Sequence, residues 1–340
     1  MKPIFLFLLI QLFLSDQLSA QKNRIQLLNQ ERNSSYRGLS VVDDQTVWVS
    51  GSNGTVGLST DAGKNWLWVN PIGYEKIDFR DIEAFGENQA LIISAGSPAL
   101  ILRTDDGGRS WKEIFKDTRP EIFYDGFAFT SSGIGIAFGD AIHGKMPLLR
   151  TMDFGQTWTD ISANLTYTIA EGEAGFAASG TSIFCTEKGQ FWIATGGTVA
   201  HIYSSMDQGN TWNRYPCPII QGENSTGPFS VAFTSPKKGI VIGGDYKADK
   251  NRTKNCFTTH DGGKGWTAAA QAPSGFKSAV IYRSKRQLIC TGTSGTDVSD
   301  DAGSHWTNIS TDSFNAVQQA KRGSAVFLAG DKGKIAKLVQ

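Results

Sequence analysis

The chain has 340 residues, 40% of them hydrophobic and 19% charged, with 33 Lys and Arg against 32 Asp and Glu. A formal net charge of +1 excludes the electrostatic footprint of a duplex-nucleic-acid binder, and the apolar content excludes a disordered chain. Thirty-eight glycines and nine tryptophans, set against ten prolines, favour many short strands joined by tight turns over long helices.

In chain order, the first element is a targeting segment. Lys2 precedes an apolar run from Pro3 to Leu14, and Leu18-Ser19-Ala20 offers small residues to a peptidase. This pattern predicts a secretory signal over residues 1–20 and a mature chain beginning near Gln21, exported to the periplasm or secreted. The run is too short for a membrane span of roughly 20 residues. No comparably apolar stretch follows, and no Cys stands at the cleavage position to carry a lipid.

Arg24-Ile25-Gln26-Leu27-Leu28 then reads as a lone strand before a repeat that fills the rest of the chain. The repeat is Ser/Thr-x-Asp-x-Gly-x-x-Trp. It starts at Ser59, Thr104, Thr151, Ser205, Thr259 and Ser299, and keeps Asp61, Asp106, Asp153, Asp207, Asp261 and Asp301 with Trp66, Trp111, Trp158, Trp212, Trp266 and Trp306. The spacing matches a four-stranded propeller blade. In the second unit, strand a opens at Phe79-Arg80-Asp81-Ile82, b spans Ala90 to Ser94, c spans Leu100 to Thr104 and d spans Trp111 to Phe115. Within each box, the Asp carboxylate can accept amide hydrogen bonds and close the c–d hairpin, the Gly permits positive φ, and the Trp packs against the neighbouring sheet. The boxes are therefore structural.

Six units are complete. Phe314 to Val317, Ala325 to Ala329 and Gly333 to Leu338 copy strands a, b and c of a seventh, whose fourth strand is missing. The segment at Arg24 supplies it. The expected fold is all-β: one domain over residues 21–340, a monomeric seven-bladed propeller whose last blade is closed by the N-terminal strand. A six-bladed ring with loose ends is the alternative.

Cys185, Cys217, Cys256 and Cys290 show no C-x-x-C pair and no metal-ligand spacing, and their pairing is left open. No metal or cofactor is expected. The Asn-x-Ser/Thr strings at Asn33, Asn53, Asn164, Asn224, Asn251 and Asn308 are taken as turn chemistry.

The boxes are BNR or Asp-box repeats. With Phe79-Arg80-Asp81-Ile82 and Gly51-Ser52-Asn53-Gly54-Thr55-Val56, they make the whole mature chain resemble the photosystem II stability/assembly factor family of seven-bladed propellers. The resemblance implies a binding or assembly role. It also implies that d–a and b–c loops surround the channel mouth where ligands bind, on the face opposite the Asp boxes. Bacterial relatives often carry the label "oxidoreductase", but the chain has no nucleotide-binding glycine fingerprint, haem signature or Cys pair to support it.

Residues at the start of strand a, Arg37, Arg80, Asp125, Lys277 and Asn315, should reach the mouth. The b–c loops add Asp140, His143, Asp245, Tyr246 and Lys247, and the fourth d–a loop adds Glu171 and Glu173. The expected partner is a protein segment or a glycan. As an alternative, Glu171, Glu173, Asp125 and Asp140 could supply the carboxylate pair of a glycan-active hydrolase. A sialidase is disfavoured, because no Arg-Ile-Pro string occurs and no third arginine aligns with Arg37 and Arg80. A His-based metal hydrolase would have only His143 on this face.

Overall fold

The computed structural model describes residues 23–339, so the predicted signal segment at 1–20 lies outside the described residues. Seven antiparallel sheets follow one another along the chain, each running a-b-c-d from the inside of the ring outwards. Blade 1, for example, is built from Tyr36–Val41, Val47–Gly51, Val56–Ser59 and Leu67–Trp68. Strands a to c are almost wholly buried in most blades, while the outer d strands are half-exposed. The largest apolar clusters each draw on two consecutive blades: Trp48, Val56 and Leu58 of blade 1, for instance, pack with Phe79, Ile92 and Leu100 of blade 2. Among the described residues, no helix is long and apolar enough to cross a membrane.

Ring closure follows the predicted route. Arg24–Asn29 pairs antiparallel with Ile335–Val339, placing Arg24 opposite Val339 and Leu27 opposite Ala336. The seventh blade therefore takes strands a, b and c from the C-terminal end of the chain and strand d from the N-terminal end, leaving no open edge there.

All six Asp boxes adopt one geometry. The leading hydroxyl donates to Asp Oδ1 at 2.7–2.9 Å and accepts the Gly amide at 2.8–3.0 Å. The same Asp Oδ1 accepts the amide four residues on at 2.9 Å. The residue before the Gly is also left-handed, including Ala62, Phe154, Gln208 and Ala302, so the hairpin makes two consecutive positive-φ steps where the sequence indicated one. The box tryptophans are not equally buried. Trp306 and Trp212 are, whereas Trp66, Trp111, Trp158 and Trp266 are half-exposed at the rim.

Blade 4 departs from the pattern. Its inner strand is split into Glu173–Ala174 and Ile183–Cys185, both paired with Phe191–Gly197. The intervening residues reach five other blades, with the Gly175 amide donating to Asp140 of blade 3. The Ala178 carbonyl accepts from Arg37 Nη1 of blade 1, Gly180 packs on Asp81 of blade 2, Ser179 Oγ donates to the Ser278 carbonyl of blade 6, and Thr181 Oγ1 donates to Ser230 Oγ of blade 5. Residues 175–182 thus plug the channel and divide it into two cavities.

Candidate functional site: a cup at the channel mouth

The upper cavity, about 440 Å³, opens on the face away from the Asp boxes. Its positions derive from a recurring irregularity of the inner strand. In blades 1, 2, 3 and 5 the a–b register slips by one residue between Tyr36 and Gly38, Phe79 and Asp81, Tyr124 and Gly126, and Pro228 and Ser230. The extra residue in each bulge is Arg37, Arg80, Asp125 or Phe229, and all four line the cavity. A β-bulge re-aims one side chain without breaking the sheet, and here it turns one side chain per blade towards the axis. The strand-b residue beneath must be small. A Cβ on Gly139 would lie 2.1 Å from the Phe123 carbonyl and push out the turn that carries Asp125.

Six of the predicted residues meet in this cup: Arg37, Arg80, Asp125, Asp140, Tyr246 and Asn315. Arg80 Nε donates to Asp78 at 2.8 Å, and its guanidinium lies 5.8 Å from the Phe123 ring centre. Burial and the neighbouring Arg80 lower the pKa of Arg37. Asp331 is pulled upward by burial, but donors from Ser35 and Asn315, with Arg37 nearby, outweigh this and hold it below the usual carboxylate value.

Two carboxyls line the same cavity. Asp125 is 1% exposed and neither of its oxygens has a hydrogen-bond donor among the described residues. Asp140, half-exposed, accepts the Gly175 amide of the plug at 2.8 Å. Burial, and then the Asp140 charge, raise the Asp125 pKa well above its ordinary value, and burial raises that of Asp140. Two adjoining acids in low dielectric each disfavour the ionised form of the other, which is the direction of both shifts.

The remaining wall is aromatic. Phe176 of the plug stacks on Phe229 at 3.7 Å between ring centres, with Phe276 and Tyr246 edge-on to Phe229. The sequence reading missed Phe123, Phe176, Phe229 and Phe276. The signal was available for Phe229, which occupies the strand-a position of Arg37 and Arg80. Phe176 belongs to the plug, whose path has no local signature.

The other predicted residues lie elsewhere. Lys277 is fully buried and ion-paired with Asp297 at 2.6 Å, with further bonds to Ser294 and the Gly295 carbonyl. Glu173 is also buried: its Oε1 accepts from Thr195 Oγ1 at 2.6 Å and Tyr203 OH at 2.8 Å and meets His201 Nδ1 at 3.0 Å. Burial raises Glu173, but these partners outweigh it and leave its pKa lowered. Glu171 is exposed, and its backbone carbonyl accepts from Thr198. His143 sits at a hairpin tip and lines outer-rim cavities with Lys145 and Asp160. Asp245 accepts the Lys247 amide at 2.9 Å in a turn that leaves Lys247 exposed.

The lower cavity, about 340 Å³, lies beyond the plug and includes Asp81, Glu83, Cys185 and Lys321. Burial pushes Asp81 up to about 7 against the pull of the Phe127 and Ile82 amides. Lys321 Nζ pairs with Glu83 at 2.6 Å. Among the described residues no group of three or more acidic, His or Cys side chains could hold a metal ion.

Comparison with known proteins agrees with this architecture. The photosystem II assembly lipoprotein Ycf48 of Synechococcus sp. (strain CC9902) is 24% identical over 277 residues, covering 72% of this chain and 78% of the relative. Among solved structures, Ycf48 bound to a D1 peptide superposes with a TM-score of 0.68 at 16% identity, covering 94% of this chain and 96% of that one. Ycf48 from Cyanidioschyzon merolae gives 0.66 at 14% identity, covering 92% and 98%. The WD40 propeller domain of Doa1 gives 0.61 at 12%, covering 93% and 97%, which reflects the shared fold. The model of the Sortilin-Vps10 family (sortilin, neurotensin receptor 3) matches residues 147–332, more than half of the chain. The chain thus belongs to the Sortilin-Vps10 family and is a homologue of the Ycf48 assembly factors that its Asp boxes and inner-strand motifs resemble.

Proposed function

We propose that the protein is an exported binding and assembly module that holds a segment of another protein in the channel-mouth cup. The observation that carries this reading is the plug: residues 175–182 give the channel a floor, so the bulge-borne side chains surround a blind, mixed-polarity recess. Such a recess suits a side chain or chain end of an extended ligand, with aromatic area for anchoring and a few polar groups for orientation. The relatives support a protein partner, since one is described as an assembly lipoprotein and another is solved with a peptide bound. Against the glycan-hydrolase alternative, Glu173, one of its four carboxylates, is buried and taken up by Thr195, Tyr203 and His201.

Selection of a random peptide display library against the mature protein tests the reading. Selected peptides should bind saturably and lose affinity in Tyr246→Ala and Arg80→Glu. Recovery of no binders, or binding indifferent to both variants, would refute it.

A further inference from the structure

The cup holds more acid than its arginines need. Arg80 is already bridged to Asp78, and Arg37 lies between Arg80 and Asp331 while donating to the Ala178 carbonyl. Those two guanidiniums are balanced by those two carboxylates. Asp125 and Asp140 remain, with Asp125 within reach of the Arg80 charge but ion-paired with neither guanidinium.

Asp125 is buried in the cavity wall with no well-placed donor on either oxygen, a cost that the Arg80 charge and the nearby Ala177 amide offset only in part. Asp140 lines the same recess, half-exposed and held by the Gly175 amide. The same cavity is lined by Phe123, Phe176 and Tyr246, aromatic rings of the kind whose faces attract cations, as Phe123 does Arg80. Paired carboxyls inside an aromatic-walled, blind recess have the chemistry of an ammonium site: the acids supply charge and acceptors, and the rings cover the carbon atoms behind it.

We propose that Asp125 and Asp140 receive a primary ammonium group, carried on a lysine side chain or at the N-terminus of the segment that docks in the cup. The ammonium meets the two carboxyls in the cavity wall, and any proton they hold passes to solvent. The inference rests on the reading of the cup as a segment-binding site, and names the group that the segment must present.

The Gly175 amide reports on the site, because it bonds Asp140. Full mature protein labelled with 15N is titrated with N-acetyl-lysine N-methylamide, with alaninamide, and with n-butanol as the uncharged control. At least one ammonium probe should shift the Gly175 resonance saturably, n-butanol should not, and Asp140→Asn should weaken the effective probe at least tenfold. The lysine probe tests the side-chain source and alaninamide the N-terminal source. Asp125→Asn should weaken binding too, and Asp140→Asn keeps an acceptor for Gly175 if the first variant folds poorly. The inference fails if neither ammonium saturates the signal, if n-butanol binds as tightly as the better ammonium, or if Asp140→Asn binds like the wild type. Display-selected peptides that depend on Tyr246 but not on Asp140 would overturn the ammonium assignment and leave segment binding standing. Saturable ammonium binding with no peptide recovered would do the reverse.

Discussion

Lys277 Nζ lies 2.6 Å from Asp297 Oδ2 with both side chains shut off from solvent, at the strand position that Tyr36, Phe79 and Tyr124 hold in blades 1 to 3, one residue before Arg37, Arg80 and Asp125. Blade 6 pairs Ala279 with Thr291 as blade 2 pairs Asp81 with Ile93, so Ser278, which lines the cup, takes the position of Arg80, and Lys277 takes that of the buried Phe79. Lys277 consequently turns into its own sheet. Removing one partner of a buried pair strands the other charge, so Lys277→Ala should destabilise the fold by about 3–5 kcal/mol. Lys277→Met combined with Asp297→Leu should recover most of the loss, read as the urea midpoint. A loss under about 1 kcal/mol for Lys277→Ala would mean that the pair is solvated.

Tryptophan positions should separate by burial. Trp306, 2% exposed and donating to the Gly303 carbonyl at 3.1 Å, should cost about 3–5 kcal/mol as Trp306→Ala. Half-exposed Trp158 should cost distinctly less. Arg80→Ala removes a part-exposed pair with Asp78 and should change stability by under about 1 kcal/mol. Thermal melts of the three variants rank them, and Arg80→Ala melting as low as Trp306→Ala would make the guanidinium a fold-holding group.

Stability should fall away on both sides of the weakly acidic range. Asp61, Asp106 and Asp301 are each lowered to about 2 within their boxes. Their folded forms bind protons less readily than the unfolded chain does, so the stability they give is present above about pH 4 and is lost as pH falls towards about 2. Asp81, raised to about 7, works in the opposite sense. The folded state holds its proton more tightly, and stability declines as pH rises from about 4 to about 7; Asp125 and Asp140, also raised, add to that decline. Urea unfolding across this range should show the decline, and Asp140→Asn should flatten its alkaline side. A wild-type profile that rises steadily from pH 4 to 8 would contradict the assignment.

Removal of Arg24–Asn29 should leave the Ile335–Val339 edge unpaired, lower the melting temperature and promote self-association. Equal melting and an unchanged sedimentation coefficient would show that another segment covers that edge.

The blade count and box chemistry were legible because they repeat. Each box is a local hydrogen-bond circuit within seven residues of chain, and its residue types follow from that circuit. Four of the six cup residues, Arg37, Arg80, Asp125 and Asn315, were legible for the same reason, since strand a begins alike in most blades; Asp140 and Tyr246 were read from long b–c loops. What failed was register and direction. Lys277 stands one residue before the position that faces the cup, and Glu173 lies in the split inner strand of blade 4; each has a buried partner, Asp297 or His201, specific to one blade. The plug was invisible because its contacts reach to blades 1, 2, 3, 5 and 6, and no local pattern encodes such distant contacts.

The N-terminal strand in the seventh blade sets an order of events. Every other blade can be hydrogen-bonded as soon as its own contiguous stretch of chain exists, but Arg24–Asn29 has no partner until Ile335–Val339 has been made. During synthesis or threading through a translocation pore, the first strand to emerge is the last to find its place. At this seam backbone hydrogen bonds, rather than a peptide link, hold the final blade together, so unzipping should begin here when the protein is pulled by its two ends.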